Sequence, residues 1–161
     1  MEANREIRTL REFLTGSWAI LGIGNELRGD DGFGSIVARR LREALAHQDV
    51  VNRIFVGGVA PENFWGKISR LQPEKLLVID AVVFDGAPGE VRFLRPEELA
   101  APFQLTHGPS NFAVMQMVLP GTEIVVLSAM PKRTAIGDKL SPEVERAIDL
   151  VCEEIEEVLT K

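Results

Sequence analysis

Leu21-Gly22-Ile23-Gly24-Asn25-Glu26-Leu27-Arg28-Gly29-Asp30-Asp31-Gly32-Phe33-Gly34 is the stretch around which the chain is organised. Trp18 to Ile23 is short, apolar and rich in strand formers, and a helical pattern begins at Ile36. Strand, tight turn and helix N-terminus therefore follow one another. In an α/β protein such a crossover lies at the carboxyl edge of the sheet, where sites form. Asp30 and Asp31 stand side by side in the turn. Either can cap the helix, because Asp is a preferred N-cap and its charge suits the positive end of the helix dipole; Asp30 is the better candidate. The second carboxylate is then free to face a ligand. Beside two like charges that ligand is expected to be a cation or a proton.

Composition narrows the class. The chain has 161 residues, of which 45% are hydrophobic, enough for one domain with a sizeable core. The net charge of −6 argues against nucleic acid as a partner, since that calls for a basic face. No apolar run reaches the roughly 18 residues that span a membrane, so no membrane insertion is expected. Met1 to Thr15 mixes charged and apolar residues and has no signal-peptide core. Cys152 is the one cysteine, so no intrachain disulfide is possible, and a cytoplasmic location is expected.

Along the chain, Ile7, Leu10 and Leu14 space a short amphipathic helix over Asn4 to Leu14. Phe33, Ile36, Val37, Leu41, Ala44 and Leu45 form the buried stripe of the first long helix. Val50 to Val56 reads as a second strand, and Pro61 opens a short helix with Phe64, Ile68 and Leu71 inward. Lys75 to Ala81 holds the continuous run Leu76-Leu77-Val78-Ile79, which suits a strand covered on both faces, with Asp80 at its end. Asp85 to Gly89 is a turn cluster, and Glu90 to Leu94 a shorter strand nearer an edge. Pro96 to Ala101 suggests one helical turn, Ser110 to Val118 a helix, and Glu123 to Leu127 a fifth strand. Met130 to Leu140 is polar and irregular. Ser141-Pro142 starts the last helix as N-cap and first helical residue, and Val144, Ile148, Val151, Ile155 and Val158 mark its inner face.

Strands alternating with helices predict an α/β fold with a mostly parallel sheet. The turn between the third and fourth strands is too short for a parallel crossover, so that pair is expected to be antiparallel and the sheet mixed.

The glycine-rich turn does not match a nucleotide fingerprint. Gly29 comes too late for G-x-G-x-x-G, no acid follows the second strand, and no G-K-[ST] exists. Cys152 falls on the inner side of the last helix and reads as core, and no G-x-S-x-G elbow is present. His47 lies near a helix C-terminus, where a cation is favoured. Asp31, Asp80 and His107 remain. If the first and third strands are neighbours, the two carboxylates meet at the carboxyl edge, with His107 in reach from its loop. Two carboxylates and an imidazole make a transition-metal set with open positions. Otherwise Asp80 caps a turn and His107 is an ordinary loop residue.

At these residues the chain resembles the hydrogenase maturation endopeptidases, which process the large subunit of [NiFe] hydrogenases. Gly24-Asn25, Asp30-Asp31-Gly32-x-Gly34, Gly57-Gly58, Leu77-Val78-Ile79-Asp80-Ala81, Pro88-Gly89, Thr106-His107 and Leu140-Ser141-Pro142 carry the likeness. Gly57 to Asn63 is similar to the branch serving membrane-bound, formate-hydrogenlyase-type hydrogenases. The resemblance covers about Ile20 to the C-terminus and implies a five-stranded, twisted, mixed sheet between helices, of the phosphorylase/hydrolase-like kind, in a chain whose length suits a single domain over residues 1–161. Residues 1–16 depart from the family, whose members begin almost at the first strand, and are expected to be a helical N-terminal extension.

The resemblance further implies a metal-reading triad at Asp31, Asp80 and His107. The metal is nickel carried by the substrate large-subunit precursor, and no organic cofactor is expected. The implied activity is removal of the precursor's C-terminal extension, by a monomer. A nickel-reading assembly chaperone that binds the precursor without cutting it is the alternative. Lys132 stands where many relatives carry glutamate, and its role is open.

Overall fold

The computed structural model describes residues 2–99, 104–105 and 110–161. The strands are β1 (Trp18–Ile23), β2 (Ile54–Gly58), β3 (Lys75–Val83), β4 (Val91–Leu94), β5 (Gln104–Leu105) and β6 (Glu123–Ala129). The helices are α1 (Glu2–Phe13), α2 (Phe33–Ala44), α3 (Trp65–Leu71), α4 (Ser110–Val118) and α5 (Pro142–Leu159). Five strands form the main sheet in the order β2-β1-β3-β6-β4, and the two-residue β5 pairs antiparallel with the end of β3. β2, β1, β3 and β6 run parallel, and β4 closes one edge antiparallel to β6. The sheet is mixed and mostly parallel, as expected.

β3 is the centre of the fold because its side chains are apolar on both sides. Leu77, Ile79 and Ala81 join the core under α2 and α5, with Phe33, Val37, Leu41, Ile148 and Val151. Leu76, Val78 and Val82 join the opposite core with Ile68 of α3 and Phe112 and Met115 of α4. This alternation is the period of two that a doubly covered strand requires. On α2 the inward stripe takes Ala38, whereas Ala44 is exposed.

Three expectations are corrected. β2 begins at Ile54 rather than Val50, because Asp49–Arg53 forms a 3-10 turn whose Val51 carbonyl is held by Arg42. Arg42 also holds the Ile54 carbonyl. Asp80 does not end β3, which continues to Val83 and there recruits β5. The antiparallel partner of β4 is β6, not β3. β6 fills the place beside β3 along seven paired positions, from Lys75↔Glu123 to Ala81↔Ala129. The Asp85–Gly89 turn therefore carries the chain across the end of β6, pinned by Gly89 N–H to Met130 O at 2.8 Å and Met130 N–H to Glu90 O at 2.9 Å.

α1 covers the open side of β4. The Glu6 carboxylate accepts the Phe93 N–H at 2.6 Å, on the strand's unpaired edge. The rings of Phe13 and Phe93 meet edge-on at 5.4 Å. Arg11 ties α1 to α5 through Glu154 at 2.7 Å and Glu157 at 3.1 Å. An edge covered in this way cannot template pairing with another chain.

Candidate functional site

The site is built by the turn that leaves β1. Gly24 has φ +151°, and a Cβ there would strike the Asp31 carbonyl oxygen, so only glycine lets the turn close. The Asn25 side chain accepts the Leu27 N–H at 3.0 Å and starts a 3-10 segment, Glu26–Gly32, interrupted at Arg28 and Gly29. The segment ends on α2. A Cβ on Gly34 would collide with the Ile79 and Ile23 carbonyl oxygens. The first turn of α2 therefore rests directly on the end of β1 at Ile23 and on β3 at Ile79.

This contact places the two carboxylates. Gly22 of β1 lies opposite Ile79 of β3, and Asp80 is the next residue along. Asp31 precedes α2 by two residues, at the same carboxyl edge. Asp31 is 5% exposed and Asp80 is 2% exposed. The Asp31 carboxylate accepts the Asn25 N–H at 3.2 Å. Asp80 stands opposite Ser128 of β6. The turn after β1 and the neighbouring strand β3 thus bring the two aspartates toward one end of the sheet, the position that open α/β sheets use for ligands.

His107, the third expected member, lies outside the described residues. Among the described residues no three His, Cys, Asp or Glu side chains come together as a metal site.

Asp30 does something other than cap α2. The N-cap of α2 is Gly32, with no side-chain cap bond. Asp30 is fully buried and turns to the Met130–Leu140 loop and the start of α5. Its Oδ2 accepts the Lys132 N–H at 2.8 Å, the Arg133 N–H at 3.1 Å and the Ser141 hydroxyl at 2.8 Å; its Oδ1 accepts the Ser141 N–H at 2.8 Å. Four donors satisfy a carboxylate that would otherwise be costly to bury. Ser141 Oγ in turn accepts the Val144 N–H at 3.3 Å, so the expected N-cap of α5 is present and is itself held by Asp30. This carboxylate pins both ends of the loop, at Lys132–Arg133 and at Ser141.

The sequence reading missed this anchor. Its one available signal was the loop itself, a polar segment without an element of its own, whose backbone donors had to find acceptors. Lys132 contributes chiefly through its backbone N–H, while its ammonium pairs with Glu143 at 2.9 Å and holds that carboxyl below its usual range.

Cys152 is a core residue as expected, 1% exposed on the inner side of α5. Burial pushes its thiol up to about 11, so it is a poor nucleophile at neutral pH. His47 is exposed, three residues beyond the end of α2.

A family model described as hydrogenase maturation protease matches residues 36–158. The chain is 30% identical over 139 residues to the hydrogenase 3 maturation protease of Escherichia coli K12, covering 85% of this chain and 87% of that one. Its fold is similar to the crystal structure of a [NiFe] hydrogenase maturation protease from Thermococcus kodakarensis, with a TM-score of 0.81 and 30% identity over 95% of this chain and 99% of that one. The solution structure of an Escherichia coli endopeptidase of the same kind gives a TM-score of 0.70 at 28% identity, covering 86% and 88%.

Proposed function

The chain belongs to the hydrogenase maturation protease family, and from that premise we propose that this peptidase removes the C-terminal extension of a [NiFe] hydrogenase large-subunit precursor after nickel has been inserted. Asp31, Asp80 and His107 read the nickel. The observation that carries this reading is the pair of buried carboxylates near the carboxyl edge of the sheet, Asp31 in the turn that follows β1 and Asp80 within the adjacent parallel strand β3. Two such groups on one rigid edge suit a cation better than an anion.

Nickel is substrate cargo here, already held by the precursor. Asp31 and Asp80 supply oxygen ligands and His107 an imidazole, which together complete a metal shell that the substrate has begun. Docking on the metal positions the peptide segment beyond it next to the same carboxylates. A carboxylate not engaged on the metal can then take a proton from the attacking water. Restricting the peptide in this way converts an encounter in solution into a local attack.

The test is to incubate the protein with nickel-loaded and nickel-free precursors and to follow loss of the C-terminal peptide by mass spectrometry. Cleavage of the loaded precursor alone is the expected result. Equal cleavage of both leaves an ordinary sequence-specific peptidase, and tight binding without cleavage leaves an assembly chaperone.

A further inference from the structure

Arg28, in the turn that leads to Asp31, and Arg133, whose backbone N–H is bound by Asp30, are held by backbone carbonyls rather than by acids. Arg28 Nε donates to Thr134 O at 3.0 Å, and Arg133 donates to Lys139 O at 2.9 Å and to Leu140 O at 3.0 Å. Among the described residues neither guanidinium has a carboxylate partner. Arg39 and Arg40 of α2 differ, since they pair with Glu26 and Asp149. Arg28 and Arg133 are exposed, as is Lys139 on the same loop. A protein of net charge −6 thus carries a strip with two carbonyl-held arginines and Lys139, in which the one carboxylate of the loop, Asp138, is turned onto the Ala135 N–H. A guanidinium already oriented by carbonyls loses little freedom when a carboxylate arrives.

Exposed apolar residues border the same strip. Leu27 is 75% exposed, Ile136 84% and Val59 65%. Gly137 N–H donates to Leu27 O at 2.9 Å, which sets Leu27 next to the loop residue Ile136. Gly24 N–H donates to Gly58 O at 3.0 Å, which sets the loop of Val59 against the turn that leads to Asp31. One exposed aliphatic residue needs no explanation. Here three lie on loops at one end of the sheet, and the longest of those loops is anchored by the buried Asp30. The surface is preorganised, which favours a partner over random exposure.

We propose that Leu27, Ile136 and Val59, with Arg28 and Arg133, form the docking surface for the C-terminal region of the large-subunit precursor, and that they take an apolar segment flanked by carboxylates. This rests on the endopeptidase reading above and adds the chemistry by which the substrate chain is held. The apolar trio buries the segment, and the two guanidinium groups pair with its acids.

The test compares wild type, a Leu27→Asp/Ile136→Asp variant, Arg28→Glu, and a control Met117→Asp on the exposed face of α4. Calorimetry measures binding of the nickel-loaded precursor, and a processing assay separates KM from kcat. Both surface variants are expected to raise the dissociation constant and KM about tenfold or more, with kcat at saturation little changed. Met117→Asp is expected to match wild type, and wild-type binding to weaken with added salt. Unchanged binding and KM in the Leu27→Asp/Ile136→Asp variant overturns the proposal, whatever Arg28→Glu does. If wild type binds the precursor without cutting it and the variant loses that binding, the docking surface stands and the endopeptidase reading falls. If wild type does not bind, both fall.

Discussion

The Asp30 carboxylate and the Ser141 hydroxyl meet at 2.8 Å inside the protein, across 111 residues of sequence. Asp31, the next residue after Asp30, faces the carboxyl edge of the sheet. Two neighbouring aspartates thus divide their work. Asp30 fastens the loop after β6 to the start of α5, and Asp31 accepts the Asn25 N–H in the turn after β1, where it is proposed to face the substrate.

Asp30→Ala should therefore cost stability rather than chemistry. Removing a buried acceptor strands four donors, a change expected to cost about 3–5 kcal/mol. Asp30→Asn keeps one acceptor oxygen but turns an amide NH2 toward N–H donors, for a loss of about 1–3 kcal/mol. Urea denaturation of the two variants and wild type checks both the order and the size.

Asp31→Asn and Asp80→Asn should abolish processing of the nickel-loaded precursor. Volume is nearly preserved while the negative ligand is lost. Circular dichroism should stay native, and mass analysis of the precursor should show its C-terminal peptide retained. An Asp31→Asn protein that processes at the wild-type rate would sink the assignment of that residue.

At Gly34 a methyl group has no room. Its position is taken by the carbonyl oxygens of Ile23 and Ile79, and backbone cannot rotate aside as a side chain can. Gly34→Ala should shift α2 away from the sheet at a cost of at least about 1–3 kcal/mol. Gly121→Ala serves as the comparison, because a Cβ there meets nothing within 4 Å. Its stability should stay within about 0.5 kcal/mol of wild type.

Cys152 gives a pH-dependent prediction. Burial raises its folded-state pKa from 9.0 to about 11, so the folded protein retains a proton that the unfolded chain releases. The stabilisation is whole below about pH 9 and is lost as pH rises toward about 11. Within that window this group lowers stability by at most ~1.4 kcal/mol per pH unit. Cys152→Ala should flatten that part of the stability–pH curve, measured by denaturation at each pH. At pH 7 a thiol reagent should label the folded wild type far more slowly than the urea-unfolded chain.

What was legible in the sequence was what local chemistry decides. β1 and α4 occupy the residues expected, because apolar strand formers bound the one and turn residues the other. The start of α5 was readable from Ser141-Pro142, where cap and first helical residue are adjacent. Sheet order was not readable from turn length. The short connection after β3 pointed to a hairpin, yet β6 took the place beside β3 and left β4 the edge. Asp80 looked like the end of a strand because a charge follows an apolar run, but β5 extends the pairing beyond it. Of the site, the place of Asp31 followed from the order of strand, turn and helix after β1, whereas that of Asp80 depended on β1 and β3 being neighbours, which the sequence left open. The role of Asp30 was not readable, because its donors are more than a hundred residues away. His107 lies outside the described residues, and its place in the triad is part of the proposal.

The seal that α1 places over β4 bears on how the protein is made. Glu6 reaches Phe93 across 87 residues, and Arg11 reaches Glu154 across 143. The helix leaves the ribosome before either of its docking sites, and the second of them follows only 143 residues later. Until α5 emerges, β4 has only part of its cover, and contacts this distant in sequence are slow to form. The growing chain therefore passes through a period in which the edge of β4 is open to other chains. The speed with which translation finishes the last helix decides how long that period lasts.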